Sequence, residues 1–141
     1  MAHAYPVVLD WIDRLAGLES ADDAWRSFLS FAGRYGFTHG AIVDLPRPQE
    51  RASDNVLALS WPGAWSKRYE GKNYIRRDPS VRALLHTREP FTWTEALAFD
   101  DYPRAERNIV FEAGDHGLHG GFVVPITGLR TGDSARMRAW A

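Results

Sequence analysis

Residues 61–79, WPGAWSKRYEGKNYIRRDP, place three large aromatic side chains ahead of a single acid. Pro62 is typical of the first turn of a helix, and Trp65 and Tyr69 lie four residues apart on one face of that helix. Trp61 joins them from the junction before the helix, because a residue that precedes proline leaves the helical conformation. Each ring carries a polar group on an apolar body. The stretch therefore predicts a strand–helix junction that lines a pocket for a half-polar small molecule.

Asp78 and Pro79 close this stretch, and the pair is typical of the N-cap and first position of another helix. An ionised carboxylate only accepts hydrogen bonds, whereas Trp and Tyr side chains donate them. Such a set suits a ligand that has carbonyl groups at two places and an N–H between them. Taken singly, two rings at helical spacing are typical of a core, and Asp before Pro is typical of a cap. Only the combination indicates a binding site.

Length and composition predict one folded domain over residues 1–141. The chain is 45% hydrophobic and 13% aromatic, and its net charge of −1 does not indicate nucleic acid as a partner. It has no cysteine, which excludes disulfides, thiol catalysis and cysteine-ligated metals. The N-terminus is not typical of a signal peptide, and no window reaches the roughly 18 apolar residues of a membrane span. We expect a cytoplasmic domain that does not contact a membrane.

The spacing of apolar residues predicts elements in the order ααββααβαββ, with limits set by proline, glycine and capping residues. They are helices over 6–18 and from Ser20 to Gly36, strands over 37–45 and 55–61, helices over 62–71 and 78–87, an extended piece over 91–93, a helix over 101–116, and strands over 120–126 and 134–141. Surface turns are expected over 46–55 and 128–133, and Pro125 is expected to end its strand. This order predicts an α/β (α+β) fold with an antiparallel sheet between helical layers, α-β-α.

The spacing of the aromatic residues and the acid resembles that in the autoinducer-binding domain of LuxR-type quorum-sensing regulators, which bind N-acyl-homoserine lactones. The resemblance is carried by Trp65, Tyr69, the Asp78-Pro79 pair and Trp93, a tryptophan about 14 residues beyond the proline. A later part of the family pattern, a glycine that ends a helix followed by a glycine and a proline, is matched by Gly117, Gly121 and Pro125. By motif the resemblance covers residues 61–128, and by element order it covers 5–141.

The resemblance implies a role for each residue of the site. Trp65 would donate its indole N–H to the lactone carbonyl, and Asp78 would accept the amide N–H of the ligand. Tyr69 would line the acyl pocket, and Trp93 would pack against the lactone ring. Trp61 stands where the family often has a tyrosine that bonds the acyl carbonyl; its indole N–H can still donate. Apolar residues would surround the acyl chain: Ile42, Leu57, Leu59, Val81, Phe91, Ile109, Val110 and Val123.

Three departures from the family pattern affect these expectations. Trp61 is bulkier than tyrosine and narrows the pocket, which favours a short, branched or unusual acyl group. Where many members place a small hydroxyl residue in the last strand, this chain has Met137 or Arg138, so contacts to a 3-oxo group are not expected. The chain stops at Ala141, whereas the family domain continues with a strand, a helix and a helix-turn-helix. The resemblance therefore implies a C-terminally incomplete domain that does not bind DNA directly. As a truncated regulator it would form a homodimer, or act as an anti-activator through a heterodimer with a full-length regulator.

Other functions remain open on the sequence. A generic PAS/GAF-like sensor of another ligand has similar elements, and a heterodimerising interaction protein would need no ligand. A lactone hydrolase is a third alternative, but the sequence marks no nucleophile. His116 and His119 do not predict a metal site, because Gly117 breaks the helix between them. We expect a ligand-binding protein, not an enzyme, with no metal or cofactor.

Overall fold

A computed structural model describes residues 4–44, 56–127 and 135–140; for Ala4, Thr127 and 135–140 it describes the backbone alone. The turns expected over 46–55 and 128–133 lie outside the described residues. The chain divides into two compact units, Met1–Thr38 and His39–Ala141.

The first unit is a pair of helices, α1 (Ala4–Ala16) and α2 (Ala21–Gly33). Ser20 caps α2, because its hydroxyl accepts the backbone N–H of Asp23 at 3.0 Å. The two predicted helices are confirmed.

Among its described residues, the second unit contains a five-stranded sheet whose pairings are all antiparallel. The strands are β1 (Gly40–Asp44), β2 (Val56–Leu59), β3 (Phe91–Thr92), β4 (Phe122–Thr127) and β5 (Ala135–Trp140). Their order across the sheet is β2-β1-β5-β4-β3, so the last strand of the chain lies at the centre. Ala139 of β5 stands opposite Ala41 on one side and Val123 on the other.

The described residues of this unit form four α-helices: α3 (Gly63–Gly71), α4 (Pro79–Arg82), α5 (Trp93–Ala96) and α6 (Arg104–Asp115). Short 3₁₀ turns follow α3 at Tyr74–Arg76 and α4 at Ala83–Leu85. The mixed class of helices with a small antiparallel sheet is confirmed. In the described part of the chain, no helix is long and apolar enough to cross a membrane.

Pro125 does not end its strand, contrary to the sequence prediction, but lies inside β4 opposite Met137. The short β3 pairs with β4 only at Phe122 and Val123. Beyond Val123 one edge of β4 has no described strand beside it, and a proline, which lacks an N–H, is tolerated at such an edge.

Trp93 does not continue the extended piece predicted over 91–93; it is the first residue of α5. Thr92 accepts the backbone N–H of Glu95, and the Glu95 side chain accepts the backbone N–H of Thr92. This reciprocal capping box starts a helix of one turn, and the Thr-x-x-Glu spelling over 92–95 is its sequence signature.

The core of the second unit lies around the aromatic residues of α3 and continues to the sheet and α6. Its buried members are Val43, Trp65, Tyr69, Tyr74, Ile75, Val81, Ala83, Phe91, Trp93, Ala96, Ile109, Ala113, Leu118 and Val123. Most of the residues that the sequence predicts around a ligand are therefore buried in one cluster.

Candidate ligand-binding site

Helix α3 presents Trp65 and Tyr69 to the interior, as their four-residue spacing predicts. Trp65 is 2% exposed, and its ring lies 5.6 Å from the ring of Tyr69. Trp61 contacts both from the start of the helix, with its ring centroid 5.2 Å from that of Tyr69 and 6.5 Å from that of Trp65. The three side chains form one continuous aromatic wall.

Asp78 is the N-cap residue of α4, and its side chain is 7% exposed. Its Oδ1 accepts the backbone N–H of Ser80 at 2.9 Å and the Ser80 hydroxyl at 2.8 Å. Its Oδ2 accepts the Tyr69 hydroxyl at 2.7 Å. A cap at the start of α4 and a ring on α3 thus hold one buried carboxylate from both sides.

Burial dominates the titration of this pair. Burial raises the pKa of Asp78 above its ordinary value of 3.8, although the hydrogen bonds from Tyr69 and Ser80 lower it in part. Burial also raises the pKa of Tyr69 well above 10.0, and the neighbouring Asp78 raises it further. Tyr69 is therefore a neutral donor at neutral pH.

Asp78 retains the capacity to bind a further donor. The two oxygens of an ionised carboxylate offer about four acceptor positions. Three of these positions meet Tyr69 and Ser80. The remaining position can accept one N–H from a ligand.

A cavity of about 20 Å³ lies between these groups and α6. Its lining residues are Trp61, Trp65, Tyr69, Asp78, Ser80, Trp93, Ile109, Val110 and Ala113. That volume has room for about one water-sized group. A ligand larger than this has to displace lining side chains as it enters.

Two indole N–H groups at this cavity are buried without an acceptor. Within the residues that the structure describes, the Nε1 atoms of Trp61 and Trp93 have no hydrogen-bond partner. Buried donors are nearly always paired in folded proteins, so each such group calls for an explanation.

Six of the nine predicted site residues line the cavity: Trp61, Trp65, Tyr69, Asp78, Trp93 and Ile109. Val81 and Phe91 are buried in the surrounding core and do not line it. Leu57 also lies outside the cavity; it is 56% exposed, because it belongs to the edge strand β2. The side chains of Met137 and Arg138 lie outside the described part, so the expectation for them stays a prediction.

Sequence reasoning missed two lining residues, Ser80 and Ala113. The signal for Ser80 was its position two residues after an N-cap aspartate, where the backbone N–H points back to the cap. The signal for Ala113 was its position four residues after Ile109 on the inner face of α6.

His116 contacts the aromatic wall from the end of α6, with its ring centroid 5.2 Å from that of Trp65. No group of three or more His, Cys, Asp or Glu side chains that could hold a metal ion occurs within 4–44 and 56–127 or the β5 segment as described.

Comparison with protein families matches residues 20–135 to the autoinducer-binding domain. The transcriptional activator protein BjaR1 of Bradyrhizobium diazoefficiens is 36% identical over 121 residues, which are 86% of this chain and 50% of that protein. The quorum-sensing-dependent regulator RpaR of Rhodopseudomonas palustris is 29% identical, over 84% of this chain and 48% of that protein. The chain spans about half the length of these curated relatives.

Solved structures share the fold. CepR2 of Burkholderia cenocepacia, described as an N-acylhomoserine lactone dependent LuxR family factor, has a TM-score of 0.71 at 19% identity; the match covers 99% of this chain and 78% of that one. A complex of SdiA with octanoyl-rac-glycerol has a TM-score of 0.73 at 18% identity, over 96% of this chain and 53% of that one. SdiA is an Escherichia coli protein.

Proposed function

The chain belongs to the autoinducer-binding domain family of LuxR-type quorum-sensing regulators, and on this premise we propose that its cavity binds an N-acyl-homoserine lactone. The observation that carries the proposal is the buried carboxylate of Asp78, held by Tyr69 and Ser80 with one acceptor position left inside an aromatic cavity. A buried charge is costly, and a ligand N–H at that position would offset part of the cost.

The proposed contacts follow the polar groups of the cavity. Asp78 accepts the amide N–H of the ligand, and the indole of Trp65 donates to the lactone carbonyl. The indole of Trp61, buried and without a described acceptor, donates to the acyl carbonyl. The apolar side chains that α6 contributes contact the acyl chain, and each buried CH₂ there contributes about 0.8 kcal/mol. The polar contacts set orientation, and the apolar contacts supply most of the affinity.

The cavity favours a short or branched acyl group. Trp61 packs against both Trp65 and Tyr69, so a third large ring occupies space beside the carboxylate. Displacing an indole to admit a long chain would lose these contacts, because protein interiors are close-packed.

The arrangement supports binding without chemistry. The Ser80 hydroxyl donates to Asp78, and the Tyr69 hydroxyl remains protonated at neutral pH because its pKa is raised. The protonated Tyr69 is therefore not an activated nucleophile, and Ser80 has no histidine or lysine among the described lining residues to take its proton. We expect lactone that has been incubated with the chain to be recovered with its ring closed; a ring-opened product would instead support the hydrolase alternative.

The proposal is tested by calorimetric titration of the purified chain with homoserine lactones whose acyl groups range from butanoyl to dodecanoyl, with branched acyl groups and octanoyl-glycerol in parallel. The expected result is saturable one-to-one binding of at least one lactone, tightest for a short or branched acyl group. Binding of octanoyl-glycerol, or of a different molecule extracted from the purified protein, with no lactone bound would favour a generic small-molecule sensor.

Trp65→Phe removes one indole donor and keeps an aromatic ring, so it should weaken lactone binding by about 1 to 2 kcal/mol. Trp11→Phe is the matched control, because Trp11 lies in the first unit and donates to Ser27 there. Unchanged affinity in Trp65→Phe, or an equal loss in the control, would contradict the assigned role.

We also propose that the chain associates with a second copy or with a full-length regulator and does not itself bind DNA. Tyr5, Leu9 and Ile12 follow helical spacing on α1 and are exposed, and the net charge of −1 does not favour DNA. Sedimentation of the parent and of Leu9→Glu tests this proposal. We expect the variant to shift toward the monomer, and a parent that is monomeric alone and with the regulator would contradict it.

A further inference from the structure

We infer that Trp93 is a hydrogen-bond donor to the bound ligand through its indole Nε1, and not only an apolar surface for it. This inference rests on the proposed function. It adds a third donor to the two that the proposed function assigns, Trp65 and Trp61, and makes Trp93 a residue that selects among ligands by their oxygen atoms.

A donor role is supported first by the burial of Trp93. Its side chain is 8% exposed and lines the cavity, and its Nε1 is buried with no acceptor in the part of the chain that the structure describes. A buried donor without a partner costs the full desolvation of that group. The cost is met if an acceptor enters the cavity with the ligand.

Hydrogen bonds fix the backbone of Trp93, and burial restricts its side chain. Its backbone N–H donates to the Gly121 carbonyl at 3.0 Å, which ties the residue to the chain just before β4. The capping box of Thr92 and Glu95 fixes the helix that Trp93 begins, and Ala96 on the same turn is fully buried. The side chain also belongs to the buried core cluster, so the indole is packed in place before a ligand arrives, and this reduces the entropy cost of the new hydrogen bond.

The apolar side chains of α6 beside Trp93 supply no acceptor for its indole N–H, so the ligand has to supply one. Ile109, Val110 and Ala113 offer no acceptor atoms in their side chains. The carboxylate of Asp78 already accepts three donors. With the unpaired Nε1 of Trp61 and the Trp65 indole, to which the proposed function already assigns a donor role, the described lining presents three donors against one open position on the Asp78 carboxylate. It therefore suits a ligand with more oxygen acceptors than N–H donors, and a homoserine lactone, with three oxygens and one N–H, meets this requirement.

The test is a cycle that combines a change in Trp93 with a change in one ligand oxygen. The probes are the tightest-binding acyl-homoserine lactone of the panel and three analogues with the same acyl group. The analogues are the homocysteine thiolactone, which replaces the ring oxygen by sulfur, the tetrahydrofuran-3-amine, which lacks the lactone carbonyl, and the thioamide, which replaces the acyl oxygen. Trp93 is replaced by 3-benzothienylalanine, which removes the N–H and keeps the ring size, and separately by Trp93→Phe.

We expect either replacement to weaken binding of the parent lactone about tenfold. For one of the three analogues the loss should disappear, because that analogue already lacks the oxygen that Trp93 meets. Trp61→Phe should show the same pattern with a different oxygen. Equal losses with all four probes, or no loss with the benzothienyl variant, would overturn the inference while the parent still binds lactone. A parent that binds no lactone would instead overturn the proposed function.

Discussion

Asp78 illustrates how much of this site depends on single residues. A helix N-cap uses one oxygen of its side chain, yet here the second oxygen meets Tyr69 inside the core. An asparagine at this position would keep one acceptor but would turn an amide N–H toward the ligand. We expect Asp78→Asn to weaken lactone binding by about 1 to 3 kcal/mol. Calorimetry measures the loss, with the exposed Asp101→Asn as control, and equal affinities of both variants would contradict the role of Asp78.

The raised pKa of Asp78 predicts how stability depends on pH. The folded chain binds the proton of Asp78 more tightly than the unfolded chain does, because burial raises the pKa above 3.8. The resulting stabilisation is fully present below the unfolded value and is lost as the pH rises through the folded pKa. Urea unfolding of the parent and Asp78→Asn should therefore show the parent losing stability relative to the variant from pH about 4 upward. A relative gain with rising pH would contradict the burial of this acid.

Tyr69 and Tyr102 form a matched pair of buried hydroxyls. Tyr69 donates to Asp78, whereas the Tyr102 hydroxyl is buried with no acceptor among the described residues. Tyr69→Phe should therefore cost about 1 kcal/mol of unfolding free energy and weaken lactone binding. Tyr102→Phe should leave binding unchanged and cost little stability. If the two variants bind lactone equally well, the Tyr69–Asp78 hydrogen bond has no role in the site.

For single residues, the sequence predicts which side chains belong to the site better than it predicts which side chains they hydrogen-bond to. The polar tips of Trp61, Trp65 and Tyr69 and their spacing were sufficient to predict a shared wall, because helical geometry fixes which side chains meet. The hydrogen bond from Tyr69 to Asp78 could not be predicted, since it depends on the path of the chain between α3 and α4. Leu57 is exposed and does not line the cavity, so its contact with the acyl chain stays a prediction; apolar character alone does not tell which side of an edge strand is covered.

At the level of secondary-structure elements, a glycine after the end of α6 turns the chain toward the sheet. Gly117 has φ of +90°, and the backbone N–H groups of Gly117 and Leu118 bond back to Gly114 and Ala113. Gly117→Ala should cost about 1 to 2 kcal/mol of unfolding free energy, since only glycine adopts this conformation without strain. Gly120→Ala is the control, because space around both glycines is open and Gly120 is not at positive φ. Equal denaturant midpoints of the two variants would contradict this explanation.

The predicted helices and strands agree with the structure where a local signal defines them. Caps at Ser20 and Asp78 and the glycines at 36 and 117 gave limits within a few residues. The prediction was wrong at Pro125. No described strand lies beside that edge of β4, so a proline is tolerated there, and which strands become neighbours is set by tertiary structure. Helix α5 was missed because one turn is too short to show an apolar period.

For the whole second unit, the sequence predicts the class of fold but not the sheet order. Local patterns identify the strands. When short loops join successive strands, the simplest expectation is that strands adjacent in the chain are also adjacent in the sheet. The observed order places β5 between β1 and β4. The pairing of β5 with β1 joins residues that lie far apart in the chain. The cavity is lined by Trp61 and by residues of α3, α4, α5 and α6, so the site also depends on contacts that no local window contains.

A crystal structure of the chain grown with its tightest-binding acyl-homoserine lactone would show directly whether Asp78 holds the ligand. We predict the lactone within the cavity between α3 and α6, with its amide nitrogen about 2.9 Å from an oxygen of Asp78 and its acyl carbonyl accepting the indole N–H of Trp61. A lactone bound elsewhere on the chain, with Asp78 still contacting only Tyr69 and Ser80, would contradict this prediction.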